Sequence, residues 1–229
     1  MKLSVVIPVY NEAKTIRQIV QKVQEAKIPG VSKEIVIVDD ASTDGTRKIL
    51  RNLNGKKDVH VYTHPHNQGK GAAVRTGFKH ASGDCVIVQD ADLEYDPRDI
   101  ALLVKPIREG KAEVVYGSRF TGEHRNMLFW HMVGNKLLSL LTNILYDTTL
   151  SDMEVCYKLF KSEALKGITL TENRFGFDPE ITAKVLKKGY KIYEVPISYA
   201  GRDFSEGKKI SWKDTPRIFY VLLKCRLTD

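Results

Sequence analysis

Five residues, Asp90-Ala91-Asp92-Leu93-Glu94, bring three carboxylates together directly after the apolar run Val86-Ile87-Val88. In extended backbone Asp92 and Glu94, two positions apart, point the same way. Converging carboxylates repel unless a cation lies between them, and hard oxygen ligands suit Mg²⁺ or Mn²⁺, ions that also bind diphosphates. A cation on a diphosphate stabilises it as a leaving group. The same residues can equally be an acidic, solvated turn, so their meaning depends on what stands beside them.

Two other segments have a similar form. In Asp39-Asp40-Ala41-Ser42-Thr43-Asp44-Gly45-Thr46, acids again follow an apolar run. Thr43 or Asp44 suits a helix cap, whereas Asp39 and Asp40 are not needed for one and can accept hydrogen bonds from a nucleobase or ribose. In Pro8-Val9-Tyr10-Asn11-Glu12, Asn11 can cap a helix, Tyr10 can stack on a base and Glu12 can accept from a ribose or base.

The elements that would position these segments are legible as periodicity. Leu3–Val9, Glu34–Val38, Val59–Thr63, Asp84–Gln89 and Glu113–Gly117 read as buried strands rich in Val and Ile. Between them Ala13–Glu25, Thr46–Leu53, Gly71–Ala81 and Arg98–Arg108 read as helices. This alternation predicts an α/β fold, a single domain with a mostly parallel central sheet and helices on both faces. Ligands of such sheets bind beyond the carboxyl ends of the strands, which is where all three segments fall. Further on, 127–146 reads as an apolar helix, Val155–Phe160 as a strand, Pro179–Lys188 as a helix and Lys191–Tyr199 as a strand. A basic loop, Gly201–Lys209, leads to an amphipathic helix over Ser211–Leu227, whose opening residues have the form of a capping box.

The chain of 229 residues carries 36 Lys and Arg against 28 Asp and Glu, a net charge of +8. That balance points to anionic partners such as nucleotide phosphates or a phospholipid surface; no motif points to nucleic acid, and none sets an oligomeric state. Cys85, Cys156 and Cys225 are too scattered for a zinc knuckle or a redox pair and fit a reducing cytosol, with Cys85 read as a buried thiol. No secretory leader and no run of 18 apolar residues is visible, which predicts a cytoplasmic protein, soluble or peripheral on a membrane's cytoplasmic face. Segment 127–146 reads first as a core helix and second as a surface that receives a polyprenyl chain or bilayer. The terminal helix, with Ile218, Phe219, Leu222 and Leu223 flanked by Arg217, Lys224 and Arg226, has the character of an interfacial helix. The stretch Gly69-Lys70-Gly71-Ala72-Ala73-Val74 imitates a dinucleotide fingerprint, but its third glycine falls at Gly77 and it follows the third strand rather than the first.

Taken in order, Val5-Val6-Ile7-Pro8-Val9-Tyr10-Asn11-Glu12, Val38 to Thr46, Asn67-Gln68-Gly69-Lys70-Gly71 and Asp90-Ala91-Asp92 resemble the motifs of family-2 glycosyltransferases of the GT-A fold. Within that family the chain looks most like dolichyl-phosphate mannose or glucose synthases and bacterial polyprenyl-phosphate glycosyltransferases, over residues 1 to about 215. The resemblance implies an inverting hexosyltransferase. Its donor would be a nucleotide-sugar of the GDP-mannose or UDP-glucose type and its acceptor a polyprenyl or dolichyl phosphate. It implies a nucleotide-sugar-binding half over 1–117 and an acceptor-binding half over 118–229. Pro8, Tyr10, Glu12, Ile37 and Asp39 would line the nucleoside pocket. Asp90 and Ala91 would touch the nucleotide or sugar, and Asp92 and Glu94 would hold Mg²⁺ or Mn²⁺. Glu94 stands where the family often has Gln. Arg202 and Lys208 would neutralise phosphates in the basic loop, acting with Asp90 as the catalytic group; Arg119, and more weakly Arg125, would receive the acceptor phosphate.

A lipid phosphate is already largely an anion at pH 7 and needs no protein base. Charge neutralisation and alignment then carry the reaction. A hydroxyl acceptor on a glycan would need a carboxylate base, for which Asp152 is the candidate. A non-catalytic GT-A binding protein is the remaining alternative; Asp39, Asp90, Asp92, Arg202 and Lys208 standing together speak against it.

Overall fold

The computed structural model describes residues 1–125, 127–201 and 215–228. Among these, seven strands form one sheet in the order β3-β2-β1-β4-β6-β5-β7: β1 (Lys2–Val9), β2 (Ser32–Asp39), β3 (Val59–Thr63), β4 (Cys85–Val88), β5 (Val114–Ser118), β6 (Lys158–Lys161) and β7 (Ile192–Pro196). Every pairing is parallel except those of β6, which runs antiparallel to both β4 and β5. The helices are α1 (Ile16–Glu25), α2 (Thr46–Leu53), α3 (Lys70–His80), α4 (Ile100–Arg108), α5 (Phe129–Tyr146), the short α6 (Ser162–Leu165), α7 (Phe177–Lys187) and α8 (Thr215–Thr228).

The central strands are covered on both faces, which is why they read as continuous apolar runs. In β1, Leu3, Val5, Ile7 and Val9 join one buried cluster while Val6 joins another with Val36 and Val86 on the opposite face. α1 adds Ile16, Ile19, Val20 and Val23, a stripe at helical spacing, to the first cluster. All three cysteines are free and buried. Burial, aided by Asp84, pushes the Cys85 thiol up to about 11, as suits an inert core thiol.

Two expectations shift. The sixth strand starts at Lys158 rather than Val155, because the preceding residues leave the sheet to line a cleft. α8 is described over Thr215–Thr228, and the capping residues expected at Ser211 lie outside the described residues. The larger change is α5. Its sequence reads first as a core helix, yet only Leu138, Ser139 and Thr142 are buried, while Phe129, Trp130, Leu137, Leu140 and Ile144 are exposed. Its composition is that of a core helix but its surroundings are not. No helix among the described residues is long and apolar enough to cross a membrane.

The chain leaves β1 for β2 and β3 on one side and enters β4 on the other, so the sheet's switch point lies between β1 and β4. α3 packs across β1 and β2 beside that junction. A Cβ at Gly77 would overlap the Val6 side chain of β1. We expect Gly77→Ala to lose about 1–3 kcal/mol of stability through overpacking. Urea denaturation measures this, and an unchanged midpoint would show that the helix does not sit this close.

Candidate active site

A cleft of about 730 Å³ opens at the switch point. Its lining includes Pro8, Tyr10 and Glu12 after β1, Asp40 after β2, Asp90, Ala91, Asp92 and Glu94 after β4, and Arg119 after β5. All of these stand at or beyond carboxyl ends of parallel strands, as the sequence predicts. The segment before β6 contributes to the lining as well. Because β6 runs the other way, its amino end faces the same edge, and the residues that reach the cleft precede it: Glu154 and Cys156.

The first two loops interlock. Asn11 does not cap α1; its Oδ1 accepts from the Thr43 backbone N–H at 2.8 Å, and its own N–H donates to Ser42 Oγ at 3.0 Å. Thr46 Oγ1 accepts from the Glu12 N–H, and Asp44 accepts from the N–H groups of Ala13 and Thr46. Three non-glycine residues of the cleft loops have left-handed backbone: Asn11 at φ 53°, Ala41 at φ 63° and Leu93 at φ 66°. Alanine and leucine adopt this region at a cost of roughly 1–2 kcal/mol each. Such strain persists only where the surroundings fix it, and it gathers at functional sites.

The turn at Ala41 separates the two neighbouring acids. Asp39 is buried and its carboxylate is used internally, accepting from the Ser42 N–H and from Arg47 Nε, both at 3.0 Å. Asp40 lines the cleft instead and organises the next loop. Its carboxylate accepts from the N–H groups of Gln68 at 2.9 Å and Gly69 at 2.7 Å and pairs with His64 Nδ1 at 2.7 Å. Ile37 belongs to the core cluster. Of these residues the cleft lining includes Asp40, and not the expected Ile37 or Asp39. Lateral bonding within the strand end, which the sequence does not display, decides between the two acids.

That loop delivers Lys70, which sequence reasoning missed. Its Nζ lies 2.8 Å from Asp90 Oδ1 and 3.0 Å from Oδ2. Burial raises the Asp90 pKa, but the Lys70 ammonium more than offsets it and holds the carboxyl below its ordinary value. Burial lowers the Lys70 pKa, and Asp90 reverses this, so the ammonium stays charged. Asp90 is therefore an anion tethered to a cation, fixed in place.

Asp92 and Glu94 occupy the outer part of the same loop, both half-buried. The Glu94 N–H donates to Asp92 Oδ1 at 3.2 Å, and Tyr199 Oη donates to Glu94 Oε2 at 2.7 Å. The Ala200 N–H donates to the Glu94 carbonyl, tying this loop to the chain just before Gly201. As a donor set for Mg²⁺ or Mn²⁺ the two carboxylates fit in type, being hard oxygens on one turn. Among the described residues no group of three or more His, Cys, Asp or Glu is placed to hold a metal. Two carboxylates alone would make only part of a shell for Mg²⁺, an ion that usually keeps several waters and binds through one or two carboxylates plus phosphate.

Arg119 is buried and forms a fork-to-fork pair with Asp152: Nε to Oδ2 at 2.7 Å and Nη2 to Oδ1 at 2.6 Å, with the Arg119 N–H also donating to Oδ2. This corrects the reading of Asp152 as a general base. Both of its oxygens are taken, it is fully buried, and it is not part of the cleft lining. Its role is to orient Arg119, whose guanidinium also lies over the Tyr199 ring at 5.3 Å. Arg125 is exposed and outside the cleft lining. Arg202 and Lys208 lie outside the described residues.

The cleft lining also includes two further groups with no sequence signal of their own, Asp178 at the start of α7 and Glu154. Asp178 Oδ1 accepts from Lys158 Nζ at 2.5 Å. Glu154 Oε1 is buried with no hydrogen-bond partner among the described residues. Burial first, then the Asp178 charge, lifts its pKa to about 8.

The sequence profile of Glycosyl transferase family 2 matches residues 4–169. The chain is 33% identical over 214 residues to a dolichol-phosphate mannosyltransferase of Pyrococcus furiosus, covering 91% of this chain but 59% of that protein. It is 31% identical over 242 residues to a UDP-N-acetylglucosamine–dolichyl-phosphate N-acetylglucosaminyltransferase of Methanococcus voltae, covering 97% and 95%. It is 28% identical to an undecaprenyl-phosphate 4-deoxy-4-formamido-L-arabinose transferase of Salmonella paratyphi B, covering 99% and 68%. Among solved structures, glucosyl-3-phosphoglycerate synthase from Mycobacterium tuberculosis, in complex with Mn²⁺, UDP and phosphoglyceric acid, superposes with a TM-score of 0.77 at 19% identity, over all of this chain and 79% of that one. S. aureus TarS 1-349 in complex with UDP-GlcNAc gives 0.70 at 22% identity, over all of this chain and 67% of that one. The chain belongs to glycosyl transferase family 2, and the fold is that of its GT-A members.

The Glu154 shift has a consequence for stability. Its folded pKa lies above the ordinary 4.5, so the folded state binds the proton more tightly. Stability from this group is complete below pH 4.5, falls as pH rises and is fully lost above about 8. Glu154→Gln removes the titration. Its melting temperature relative to the unmodified protein is expected to climb across that window and level off above it, at roughly 2–4 °C per kcal/mol relieved. Parallel pH profiles of the two proteins in thermal unfolding would refute the assignment.

Proposed function

We propose that this chain transfers a hexose, with inversion, from a nucleotide-sugar of the GDP-mannose or UDP-glucose type to a polyprenyl or dolichyl phosphate, with Mg²⁺ or Mn²⁺. The observation that carries the proposal is one cleft whose lining combines an acidic loop, Asp90 to Glu94, the residues Pro8, Tyr10 and Glu12 after β1, an oriented cation, Arg119, and the apolar residues Met127, Leu128 and Trp130. The relatives that act on dolichyl or undecaprenyl phosphate support the acceptor class.

In this reading Asp92 and Glu94 hold the metal, which neutralises the leaving diphosphate. Asp90, fixed by Lys70, faces the donor. Arg119, held by Asp152, receives the acceptor phosphate, with Arg125 as a weaker second candidate. Arg202 and Lys208 are proposed to add positive charge over the phosphates. The acceptor oxygen is already anionic, so alignment and charge neutralisation suffice. The engagement of Asp152 with Arg119 counts against a hydroxyl acceptor activated by that residue.

The outer surface suits a lipid-borne acceptor. Trp130, Leu137 and Ile144 are spaced seven apart with Leu140 between them, one stripe of α5. On α8, Tyr220, Leu223 and Leu227 are exposed at similar spacing beside Lys224 and Arg226. Apolar stripes with basic flanks lie on anionic bilayers. Joint replacement of Trp130, Leu137 and Ile144 by Ser is expected to reduce co-flotation with phosphatidylglycerol vesicles several-fold. Equal flotation of both proteins would remove the peripheral-membrane part of the proposal.

Transfer itself is tested by incubating the protein with Mn²⁺, labelled nucleotide-sugars and undecaprenyl phosphate. Label is expected in the organic phase; label confined to water-soluble products would overturn the lipid-phosphate acceptor. Asp92→Ala is expected to lower metal-dependent turnover by roughly 10²-fold or more, and undiminished turnover would overturn the metal assignment.

A further inference from the structure

The order of strands lays out the cleft like a ruler. Neighbouring strands stand roughly 4.8 Å apart. Along β1, β4, β6 and β5 the cleft receives, in turn, Pro8 and Tyr10, Asp90 and Asp92, Glu154, and Arg119. Resting on the function proposed above, the nucleoside lies by β1, the diphosphate by β4 and the acceptor phosphate by β5. The place between diphosphate and acceptor is where the transferred sugar must be, and β6 is the strand that serves it.

Glu154 has chemistry suited to that place. Among the described residues, the cations whose charge reaches it are each engaged by another acid: Lys158 of β6 by Asp178 of α7 at 2.5 Å, and Arg119 after β5 by Asp152 at 2.6 Å. Glu154 thus has no cation of its own among them, and its Oε1 is buried without a partner there. A buried polar atom left unsatisfied costs about 1–3 kcal/mol, a cost that disappears when a ligand supplies the missing hydrogen bond. Burial and the neighbouring Asp178 keep the carboxyl largely protonated at neutral pH. A neutral carboxyl has one O–H donor and acceptor capacity besides, which matches a sugar hydroxyl, itself donor and acceptor. Phosphate would be better served by the cations on either side.

We propose that Glu154 reads the donor sugar, its carboxyl hydrogen-bonding a ring hydroxyl of the transferred hexose, so that it sets donor-sugar preference rather than nucleotide or acceptor affinity. A site that hydrogen-bonds a hydroxyl rejects analogues that leave its buried group unpaired. The residue acts by contact with substrate; no proton transfer in the reaction is assigned to it.

The test is binding without acceptor. With Mn²⁺ present, isothermal titration compares UDP-glucose, UDP-galactose, UDP-N-acetylglucosamine and GDP-mannose with UDP and GDP, on the full chain and on Glu154→Ala and Glu154→Gln. Glu154→Ala is expected to weaken the preferred nucleotide-sugar about tenfold, one hydrogen bond's worth, while the matching nucleoside diphosphate stays within about twofold. Glu154→Gln, which keeps the shape, is expected to retain most affinity and to change the ranking among the sugars. Equal weakening of nucleotide-sugar and diphosphate in Glu154→Ala, or no weakening of either, overturns the inference. Should the alanine variant not fold, an unchanged sugar ranking in Glu154→Gln overturns it. If the unmodified protein binds no nucleotide-sugar, the proposed function falls and this inference with it. Tight binding with an unaltered sugar preference in both variants refutes the inference alone.

Discussion

The reversed strand β6 is the constraint on which the cleft depends. A purely parallel sheet presents only the loops after its strands at the carboxyl edge. With β6 inserted antiparallel between β4 and β5, the same edge also receives residues that precede a strand. That places Glu154 and Cys156 beside the acidic loop after β4, and Asp152 within bonding distance of the Arg119 after β5. The pairing itself is ordinary: Val86 stands opposite Phe160 and Ile87 opposite Leu159, all buried. Apolar register on one strand pair therefore sets the relation between donor-side and acceptor-side residues.

The charges within this frame are matched nearly one to one. Lys70 holds Asp90, Lys158 holds Asp178 and Arg119 holds Asp152. Buried pairs of this kind contribute little net stability, because desolvation consumes most of the attraction, and breaking one costs several kcal/mol. Their value lies in fixing where charge sits before a substrate arrives, as catalysis by preorganised electrostatics requires. Glu154 stands outside these three pairs. Burial first, and then the neighbouring Asp178 charge, favour its protonated form, which makes Glu154 a hydrogen-bonding group more than a charge.

Much of the frame was legible in the sequence. β3 and α2 have the bounds that periodicity predicts, Val59–Thr63 and Thr46–Leu53, since apolar runs in a strand covered on both faces and a clean helical stripe leave little ambiguity. The acidic loops were located by the rule for strand ends. What escaped was lateral. Asp39 and Asp40 are chemically alike, and only the left-handed turn at Ala41 and the partners Arg47, Gln68 and Gly69 decide which faces the cleft. Arg119 and Asp152 are 33 positions apart, and Lys70 and Asp90 are 20 apart. Such partners carry no local pattern, and neither does the direction in which β6 runs.

α5 shows the opposite failure, a strong local pattern with the wrong environment. Its residues are apolar enough for a core, and nothing in their spacing says whether protein or some other apolar phase covers them. The structure answers through α7 and α8, which contact one side of α5 and leave Trp130, Leu137, Leu140 and Ile144 outside. Water is a poor neighbour for such a stripe, at roughly 25 cal/mol for each Å² of apolar surface. Met127, Leu128 and Trp130 at the head of this helix also line the cleft. A lipid whose phosphate reached Arg119 would pass these residues, so one apolar segment can serve both to rest the protein on a bilayer and to guide the acceptor from it.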